Sequence, residues 1–387
     1  MKDLFDNEEL LLDIWKAYYG ARKNKRNTMN AMAFELDLEH NIYRLYREIT
    51  EYRYEISPSI CFIVNKPVKR EIFAAHFRDR VVHHYLIDKL LPVFENQFIY
   101  DCYSCRKGKG TLFGIDRLEH FMRSATENYT KEAYVLKLDI KGFFMSIDKR
   151  LLLEKVRMLV ERKYEGTDKP IIQYLLELVI MNDPTGQCKV KGRRSDWQGL
   201  PQSKSLFYAA KDCGLPIGNI TSQIFANYYL TDFDRFVKET LKMKCYGRYV
   251  DDFFIVHRDK QLLKSMIPVL RDYLHTTVGV TLHPKKIYLQ PCGRGVSYLG
   301  VLIKPYGRFL TNRIWGNVNE RIEQMNRRQG EELLWEEYKK TEASINSYIG
   351  LHHHTDVYRR MLKLRWRKME DVVGALCGFV RSPFFNE

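Results

Sequence analysis

Residues 245–256 read Cys-Tyr-Gly-Arg-Tyr-Val-Asp-Asp-Phe-Phe-Ile-Val, with two acids in the middle of an apolar and aromatic run. Apolar and aromatic residues, which favour β-strands, lie on both sides of Asp251 and Asp252. Aspartate is itself common in tight turns. The pattern therefore predicts a β-hairpin with two carboxylates at its tip. Because an Asp-Asp pair alone is more often a plain turn than a functional site, its meaning depends on the rest of the chain.

A third carboxylate lies upstream at the end of another predicted strand. Residues 133–140 read Ala-Tyr-Val-Leu-Lys-Leu-Asp-Ile, with Asp139 near the end and a turn at Gly142. Phosphoryl transfer to a sugar hydroxyl uses two divalent ions about 3.5–4 Å apart. Mg²⁺ takes oxygen ligands, mainly carboxylates, phosphates and water. The predicted ligands of two Mg²⁺ ions, for which Mn²⁺ is a substitute, are the carboxylates of Asp139, Asp251 and Asp252 and the backbone carbonyl of Ile140.

The remaining periodicity predicts an α+β fold with helices on one face of a sheet. Predicted helices cover residues 8–52, 78–94, 149–163, 219–242 and 259–277. Predicted strands cover 60–64, 279–290 and 296–303. Residues 100–111 are a predicted loop, and residues 182–213 are a predicted long surface loop or hairpin. A basic helical segment follows to the end of the chain.

Composition points to a polyanionic partner. The 387 residues carry a formal net charge of +15, and Lys and Arg gain affinity for nucleic acid by releasing counterions. Each single basic run has an equal claim to be a solvated surface. No secretory signal and no apolar run of about 18 residues is present, so a cytoplasmic protein without a membrane span is expected. The eight cysteines are predicted to be reduced, because Cys102 and Cys105 lack further ligands at zinc spacing.

Several motifs, in order along the chain, resemble those of reverse transcriptases. Tyr249-Val250-Asp251-Asp252 resembles their Tyr-x-Asp-Asp motif, and residues 138–144 (Leu-Asp-Ile-Lys-Gly-Phe-Phe) resemble the first palm motif of bacterial members. Residues 66–72, 77–83, 103–111, 283–286 and 297–300 resemble the other motifs. The resemblance implies an RNA-directed DNA polymerase with a right-hand fold. Its predicted parts are an N-terminal helical segment (1–59), fingers and an antiparallel palm sheet (60–303), and a basic helical thumb (304–387).

One motif resembles a particular subfamily, the reverse transcriptases of diversity-generating retroelements. Residues 215–223 read Leu-Pro-Ile-Gly-Asn-Ile-Thr-Ser-Gln, so Ile217 replaces the glutamine of the usual Pro-Gln-Gly. The resemblance implies a template RNA copied into cDNA with frequent errors at adenine, and a small basic pentameric accessory protein as partner. A site that loses a polar contact also loses discrimination, because a wrong partner then leaves no group unpaired.

The resemblance also implies roles for individual side chains. Lys66 and Arg70 would clamp the triphosphate, Phe144 would stack under the deoxyribose, and Lys286, with Lys285 as rival, would protonate the leaving group. The remaining implied substrate positions are Ile217, Gly218 and Gln223, and the implied nucleic-acid contacts are Arg78, Arg106 and Lys109. Thumb residues from Arg359 to Lys368 would grip the duplex backbone. Surface charge is the alternative for the basic residues, and core packing is the alternative for the phenylalanines and the preferred one for Phe143.

Two other functions stay open at this stage. A phage-defence reverse transcriptase would share the same palm motifs, and neighbouring genes would distinguish it. A non-catalytic RNA-binding scaffold ranks last, because all three carboxylates are present.

Overall fold

The computed structural model describes residues 8–23, 25–65 and 68–327, with isolated positions at 343–344, 347, 350 and 354–355. Helices and short strands alternate along these residues, in agreement with the α+β prediction. Lys66, Cys377 and the basic run from Arg359 to Lys368 lie outside the described residues, so the predictions made for them stay predictions.

The helices are numbered in chain order. They are α1 (Glu8–Arg22), α2 (Met29–Glu35), α3 (Leu38–Thr50), α4 (Phe77–Glu95), α5 (Thr111–Ala125), α6 (Phe143–Ser146), α7 (Lys149–Lys163), α8 (Lys169–Met181), α9 (Ile220–Tyr229), α10 (Thr231–Arg235), α11 (Lys260–Tyr273) and α12 (Asn312–Arg327). Local sequence explains the start of α7, where the Asp148 carboxylate accepts hydrogen bonds from the backbone N–H groups of Arg150 and Leu151.

The strands form three sheets in the described part of the chain. They are β1 (Ile60–Val64), β2 (Arg70–Ala74), β3 (Tyr134–Ile140), β4 (Lys189–Val190), β5 (Tyr246–Tyr249), β6 (Asp252–His257), β7 (Leu282–Pro291), β8 (Val296–Tyr298), β9 (Val301–Lys304) and β10 (Gly307–Leu310). The sheet orders are β2-β1-β4, β10-β9-β8 and β5-β6-β3-β7. Strands β5 and β6 pair antiparallel, with Tyr249 opposite Asp252.

Burial explains why β3 is an inner strand of the four-stranded sheet. Val135, Leu136, Leu138 and Ile140 are almost completely buried, so side chains on both faces of the strand are covered. A strand covered on both faces reads as a nearly continuous apolar run, as this one does. Strand β7 is at the edge, and its middle residues are exposed. The sheet thus buries the strand that ends in Asp139.

The structure corrects several predicted boundaries. The segment 8–52 is three helices, and the helix predicted to reach residue 242 is α9, α10 and a π-helical turn. The predicted strand 296–303 is the hairpin β8–β9, because Leu299 and Gly300 both have positive φ and turn the chain. The sequence periodicity did not predict strand β2. Its few apolar residues are recognisable as a strand only from their antiparallel pairing with β1.

The predicted loop 182–213 is confirmed, but it is well anchored. Its short strand β4 pairs parallel to β1. The buried carboxylate of Glu71 accepts hydrogen bonds from the Ser205 hydroxyl and the Leu206 N–H. Further along, the backbone of Ser203 lies so close to Gly142 that a Cβ on Gly142, whose φ is +56°, would overlap its carbonyl oxygen. The loop is therefore fixed against the turn that follows β3.

The chain forms two compact units. The first contains residues 1–110, 137–255 and 264–287, and the second contains 111–136, 256–263 and 288–387. Asp139, Asp251, Asp252 and Lys286 all belong to the first unit. The three-part division predicted from sequence follows other boundaries and stays a prediction.

Two predictions from composition concern membrane-spanning helices and the oxidation state of the cysteines. None of the described helices is both long and apolar enough to cross a membrane. The cysteines among the described residues are all free thiols, of which Cys61, Cys102 and Cys292 are buried. This agrees with the prediction of reduced cysteines for that part of the chain.

Gly247 in β5 offers a test of the packing beneath the hairpin. A Cβ there would overlap the Tyr103 hydroxyl and lie 2.7 Å from the Phe254 ring, and both rings are fully buried. We expect Gly247→Ala to lower the free energy of unfolding by about 1–3 kcal/mol, because a packed core resists an added methyl group. Chemical denaturation measures the change.

Gly316 in α12 supplies the matched control. Nothing lies within 4 Å of the position of its Cβ, and alanine favours a helix over glycine by about 1 kcal/mol. Gly316→Ala should therefore be neutral or stabilising. Equal effects of the two substitutions would contradict the described packing of β5.

Candidate active site

Three carboxylates meet where β3 ends and the β5–β6 hairpin turns. Asp139 is the penultimate residue of β3, Asp251 lies in the two-residue turn, and Asp252 begins β6. The backbone N–H of Ile140 donates to the Asp251 carbonyl at 3.2 Å, which fixes the turn beside the end of β3. The arrangement agrees with the predicted hairpin, except that Asp252 is paired within the sheet and only Asp251 is in the turn.

Charge repulsion and burial together perturb this group. Burial, followed by the charge of Asp139, raises the pKa of Asp251 from 3.8 to about 7. Burial also raises the pKa of Asp252 to about 6, although the neighbouring Lys137 opposes the shift. A buried carboxylate resists ionisation unless a cation compensates it. The cluster therefore favours protons or cations near neutral pH.

Two lysines supply part of that compensation. Lys286, on β7, makes an ion pair with Asp139, while the Lys137 ammonium lies 3.3 Å from Asp252. Burial lowers the pKa of Lys286, but the hydrogen bond to Asp139 and the acidic neighbours outweigh it and raise the pKa. The rival Lys285 is adjacent on the strand and exposed. The contact with Asp139 favours Lys286 over Lys285.

The donor set fits a hard divalent cation. Oδ1 of Asp252 is buried and has no hydrogen-bond partner among the described residues. Such an orphaned carboxylate oxygen, beside two further carboxylates, matches the oxygen ligands that Mg²⁺ takes. The charges of Asp139 and Asp252 act on the Asp251 carboxyl, but no three acidic, histidine or cysteine side chains in the described part of the chain are arranged around one metal position. The assignment of Asp139, Ile140, Asp251 and Asp252 as metal ligands therefore stays a prediction.

The predicted nucleotide positions share one apolar cluster. Its buried members are Cys61, Phe73, Met145 and Leu206, and Phe144 and Ile217 pack against it. Backbone hydrogen bonds of 2.8 Å run from Phe73 N–H to the Ile217 carbonyl and from Leu215 N–H to the Phe144 carbonyl. The structure thus brings Phe144 and Ile217 together. Phe143 is almost completely buried, which confirms its predicted place in the core.

Of the other four predicted substrate positions, Lys66 lies outside the described residues, and the remaining three differ in their surroundings. Gly218 has a φ of +127° and lies against β2, where a Cβ would be 2.9 Å from Ile72. Arg70 is exposed at the start of β2. The amide of Gln223, also exposed, accepts a hydrogen bond of 3.0 Å from the Cys105 thiol. Of these three positions, only Gly218 has neighbours that leave no room for a larger residue.

The comparisons with known proteins agree with this geometry. Residues 64–303, which are more than half of the chain, match the family described as reverse transcriptase (RNA-dependent DNA polymerase). The chain belongs to the reverse transcriptase family. This membership, with its mixed helices and sheets, confirms the predicted α+β right-hand polymerase fold. The finer assignment to diversity-generating retroelements stays a prediction.

Similar solved structures include three telomerase chains from Candida Tropicalis. The apo form truncated from its C-terminal domain is 14% identical, with 70% of this chain and 60% of that chain covered and a TM-score of 0.45. The other apo form is 14% identical, with 67% of this chain and 51% of that chain covered and a TM-score of 0.44. The complex with a fragment of telomeric RNA is 12% identical, with 87% of this chain and 61% of that chain covered and a TM-score of 0.43. This reverse transcriptase therefore spans only 51–61% of the telomerase chains' length. The comparison with curated protein sequences gives no match.

The predicted nucleic-acid contacts of this reverse transcriptase all have partners within the protein. Arg78 pairs with Glu48 and lies over the Tyr54 ring. Arg106 donates to Glu95 and to the carbonyls of Ile99 and Cys102. Lys109 donates to the Tyr100 carbonyl and lies over its ring. These contacts give each side chain a structural role, and their nucleic-acid contacts stay predictions.

Sequence reasoning missed two cations near the site: Lys137, which lies beside Asp252, and Arg248, which is three residues before Asp251 and pairs with Asp234. Lys137 precedes Asp139 by two residues on β3, and such residues share a face of a strand, so the spacing carried the signal. Arg248 is fully buried and pairs with Asp234. An arginine inside an apolar strand was a visible anomaly, but its partner is on α10 and only tertiary structure shows the pair.

The raised pKa of Asp251 predicts how the carboxylate cluster affects stability. The contribution of its protonated form is complete below about pH 4 and is lost as pH rises through about 7, where a buried charge must be accommodated. We expect Asp251→Asn, without divalent ions, to raise the melting temperature by a few degrees at pH 8 and by less at pH 5. Thermal unfolding in chelator measures both differences.

Mg²⁺ should reverse this order at pH 8, because it binds the ionised carboxylates of the native state and stabilises that state. Asp259→Asn is the control, since Asn and Asp cap a helix equally well and Asp259 caps α11 outside the cluster. A pH-independent difference for Asp251→Asn, equal to that of the control, would contradict the predicted titration.

Proposed function

We propose that this protein is an RNA-directed DNA polymerase that copies a retroelement template RNA into cDNA. The observation that carries the proposal is the convergence of Asp139, Asp251 and Asp252 on neighbouring strand ends in a chain of the reverse transcriptase family. Their mutual repulsion and burial create a site for cations. The substrates would be deoxynucleoside triphosphates, and the partners would be the template RNA and the nascent cDNA.

The three carboxylates and the Ile140 carbonyl would hold two Mg²⁺ ions. The chemistry supplied by the bound ions is activation of the primer 3′-hydroxyl and stabilisation of the leaving pyrophosphate. Lys137 and Lys286 neutralise Asp252 and Asp139 until substrate arrives. Against the effect of burial, the ion pair with Asp139 raises the pKa of Lys286 and keeps its ammonium protonated, and release from that carboxylate would free the proton for the leaving group.

The apolar cluster around Phe73 would form the side of the nucleotide site. Phe144 packs on this cluster next to the β3 turn, which suits a ring placed under the deoxyribose. Exposed Arg70 at the edge of β2 would reach the triphosphate, where a guanidinium makes bidentate contacts. Lys66, which is not among the described residues, would contact the triphosphate together with Arg70.

Ile217 supports the further proposal of an error-prone, adenine-mutagenic enzyme of a diversity-generating retroelement. Its side chain packs against the apolar cluster and offers no hydrogen bond to a base pair. A polymerase site without that polar contact loses part of its discrimination against mispairs. Together with the motif 215–223, this supports the subfamily, in which a small basic pentameric protein would be a partner.

Synthesis of cDNA on a defined RNA with dNTPs and Mg²⁺ tests the polymerase proposal. We expect the wild-type chain to extend a primer and Asp139→Asn to abolish extension, because a metal ligand is lost. Lys286→Gln should lower kcat by about 10²–10⁴-fold, the usual contribution of a positioned general acid. Lys285→Gln, on the adjacent exposed residue, is the control and should change kcat little.

The subfamily proposal is tested by the error spectrum of Ile217→Gln. A glutamine supplies the missing hydrogen-bonding amide, so misincorporation opposite template adenine should fall by about tenfold or more. Deep sequencing of the cDNA measures it. Ile217→Leu, which stays apolar, should keep the wild-type spectrum. An adenine error rate that glutamine leaves unchanged would overturn the role of Ile217 in fidelity.

A further inference from the structure

Arg248 is a fully buried arginine three residues before Asp251. Its Nε and Nη2 donate to the two carboxylate oxygens of Asp234 at 2.7 and 2.6 Å, and neither side chain is exposed to solvent. Burial lowers the pKa of Arg248, but the charge of Asp234 outweighs this and raises it. A buried ion pair is tolerated only when its remaining donors are also satisfied. The hydrogen-bond partner of the third guanidinium nitrogen therefore shows what else the buried pair holds in place.

That nitrogen, Nη1, donates to the carbonyl oxygen of Val250 at 2.9 Å. Val250 is in the two-residue turn of the hairpin and has a φ of +57°. A β-branched residue avoids this region, so the surrounding structure must hold it there. The Val250 carbonyl belongs to the same planar peptide as the Asp251 N–H. Arg248 therefore fixes the peptide plane from which the Asp251 side chain projects.

The guanidinium is held in turn by α9 and by the segment before α5. Nη2 also donates to the Asn227 carbonyl at 3.1 Å. The side chain of Asn227 exchanges two hydrogen bonds of 2.6 Å with Ser104, whose hydroxyl and carbonyl are both used. The backbone of Arg248 pairs with Asp101 and Tyr103 on the same segment. The guanidinium thus has one possible position.

We propose that Arg248 is a positioning residue that orients the Val250–Asp251 peptide and thereby sets the Asp251 carboxylate beside Asp139. The inference rests on the proposed polymerase function, in which Asp251 is a metal ligand. Without the hydrogen bond from Arg248, the Asp251 carboxylate is still present, but the strained turn relaxes and the carboxylate moves. Metal affinity and kcat therefore fall. The nucleotide KM stays close to wild type, because the apolar cluster around Phe73 does not contact Arg248.

The decisive variant is Arg248→Lys. Lysine keeps the charge opposite Asp234, but it cannot fork to reach both Asp234 and the Val250 carbonyl. We expect half-saturating Mg²⁺ for cDNA synthesis to rise about 10–100-fold, the usual effect of losing a residue that orients a metal ligand, with dNTP KM changed less than about threefold. Tb³⁺ luminescence on the protein without nucleotide should show the same loss of affinity.

Arg235→Lys is the matched control. Arg235 is adjacent to Asp234, is partly buried and donates to Gln97, without contact to the turn. It should leave both metal measurements unchanged. If Arg248→Lys lowers the melting temperature but keeps wild-type Tb³⁺ affinity and Mg²⁺ dependence, Arg248 is a structural residue only and the proposal is overturned.

Two further outcomes are separated in the same experiment. A wild-type chain that binds Tb³⁺ but makes no cDNA would contradict the polymerase function, while the Tb³⁺ comparison still tests Arg248. If Arg248→Lys does not fold, Asn227→Ser decides, because it keeps the Arg248–Asp234 pair but removes the 3.5 Å contact of Arg248 Nη1 with Asn227 Oδ1 and the two hydrogen bonds that tie Asn227 to Ser104. It should weaken Tb³⁺ affinity by at least about threefold, and wild-type affinity would overturn the proposal.

Discussion

Repulsion among three carboxylates is the constraint on which the rest of this site depends. Asp139, Asp251 and Asp252 are held together by strand ends that the core buries, and burial raises the pKa of both hairpin carboxylates. A buried cluster of this kind is stable only if protons or cations compensate it. Lys137 and Lys286 supply part of the charge, and the orphaned oxygen of Asp252 shows that the compensation is incomplete. The cost of the cluster to stability is the physical basis of the metal binding proposed for it.

The backbone around these carboxylates is correspondingly fixed from several sides. The N–H of Ile140 reaches the Asp251 carbonyl, Arg248 reaches the Val250 carbonyl, and the Ser203 backbone closes over Gly142. Each contact lies next to a carboxylate rather than on it. Functional groups placed within about 0.5 Å of a productive geometry need such supports, because their own side chains have rotational freedom.

The loop 182–213 contacts both the turn that follows β3, at Gly142, and the apolar cluster, through Leu206. Glu71 is buried and its pKa is raised by that burial, yet it accepts hydrogen bonds from Ser205 and Leu206. Leu206 is a core member of the cluster against which Phe144 and Ile217 pack. A long loop is usually mobile or functional. Here its anchors place it under the residues proposed to contact the nucleotide, so its sequence is expected to influence that site.

Period-2 apolar patterns and Asp-rich turns are local signals, so the amino-acid sequence was enough to predict β1, β3, β7, the β5–β6 hairpin and the three acidic residues. It was not enough to predict β2 or the break between β8 and β9. Ordered motifs from residue 66 to 300 also determined the family, which residues 64–303 confirm. Local patterns could not show that Phe144 meets Ile217, that Lys286 rather than Lys285 contacts Asp139, or that Arg248 pairs with Asp234. These pairings join residues 14 to 147 positions apart, and their free energy comes from burial that only the folded chain creates. Tertiary structure alone therefore decided which charges compensate one another and how the turn between β5 and β6 is held.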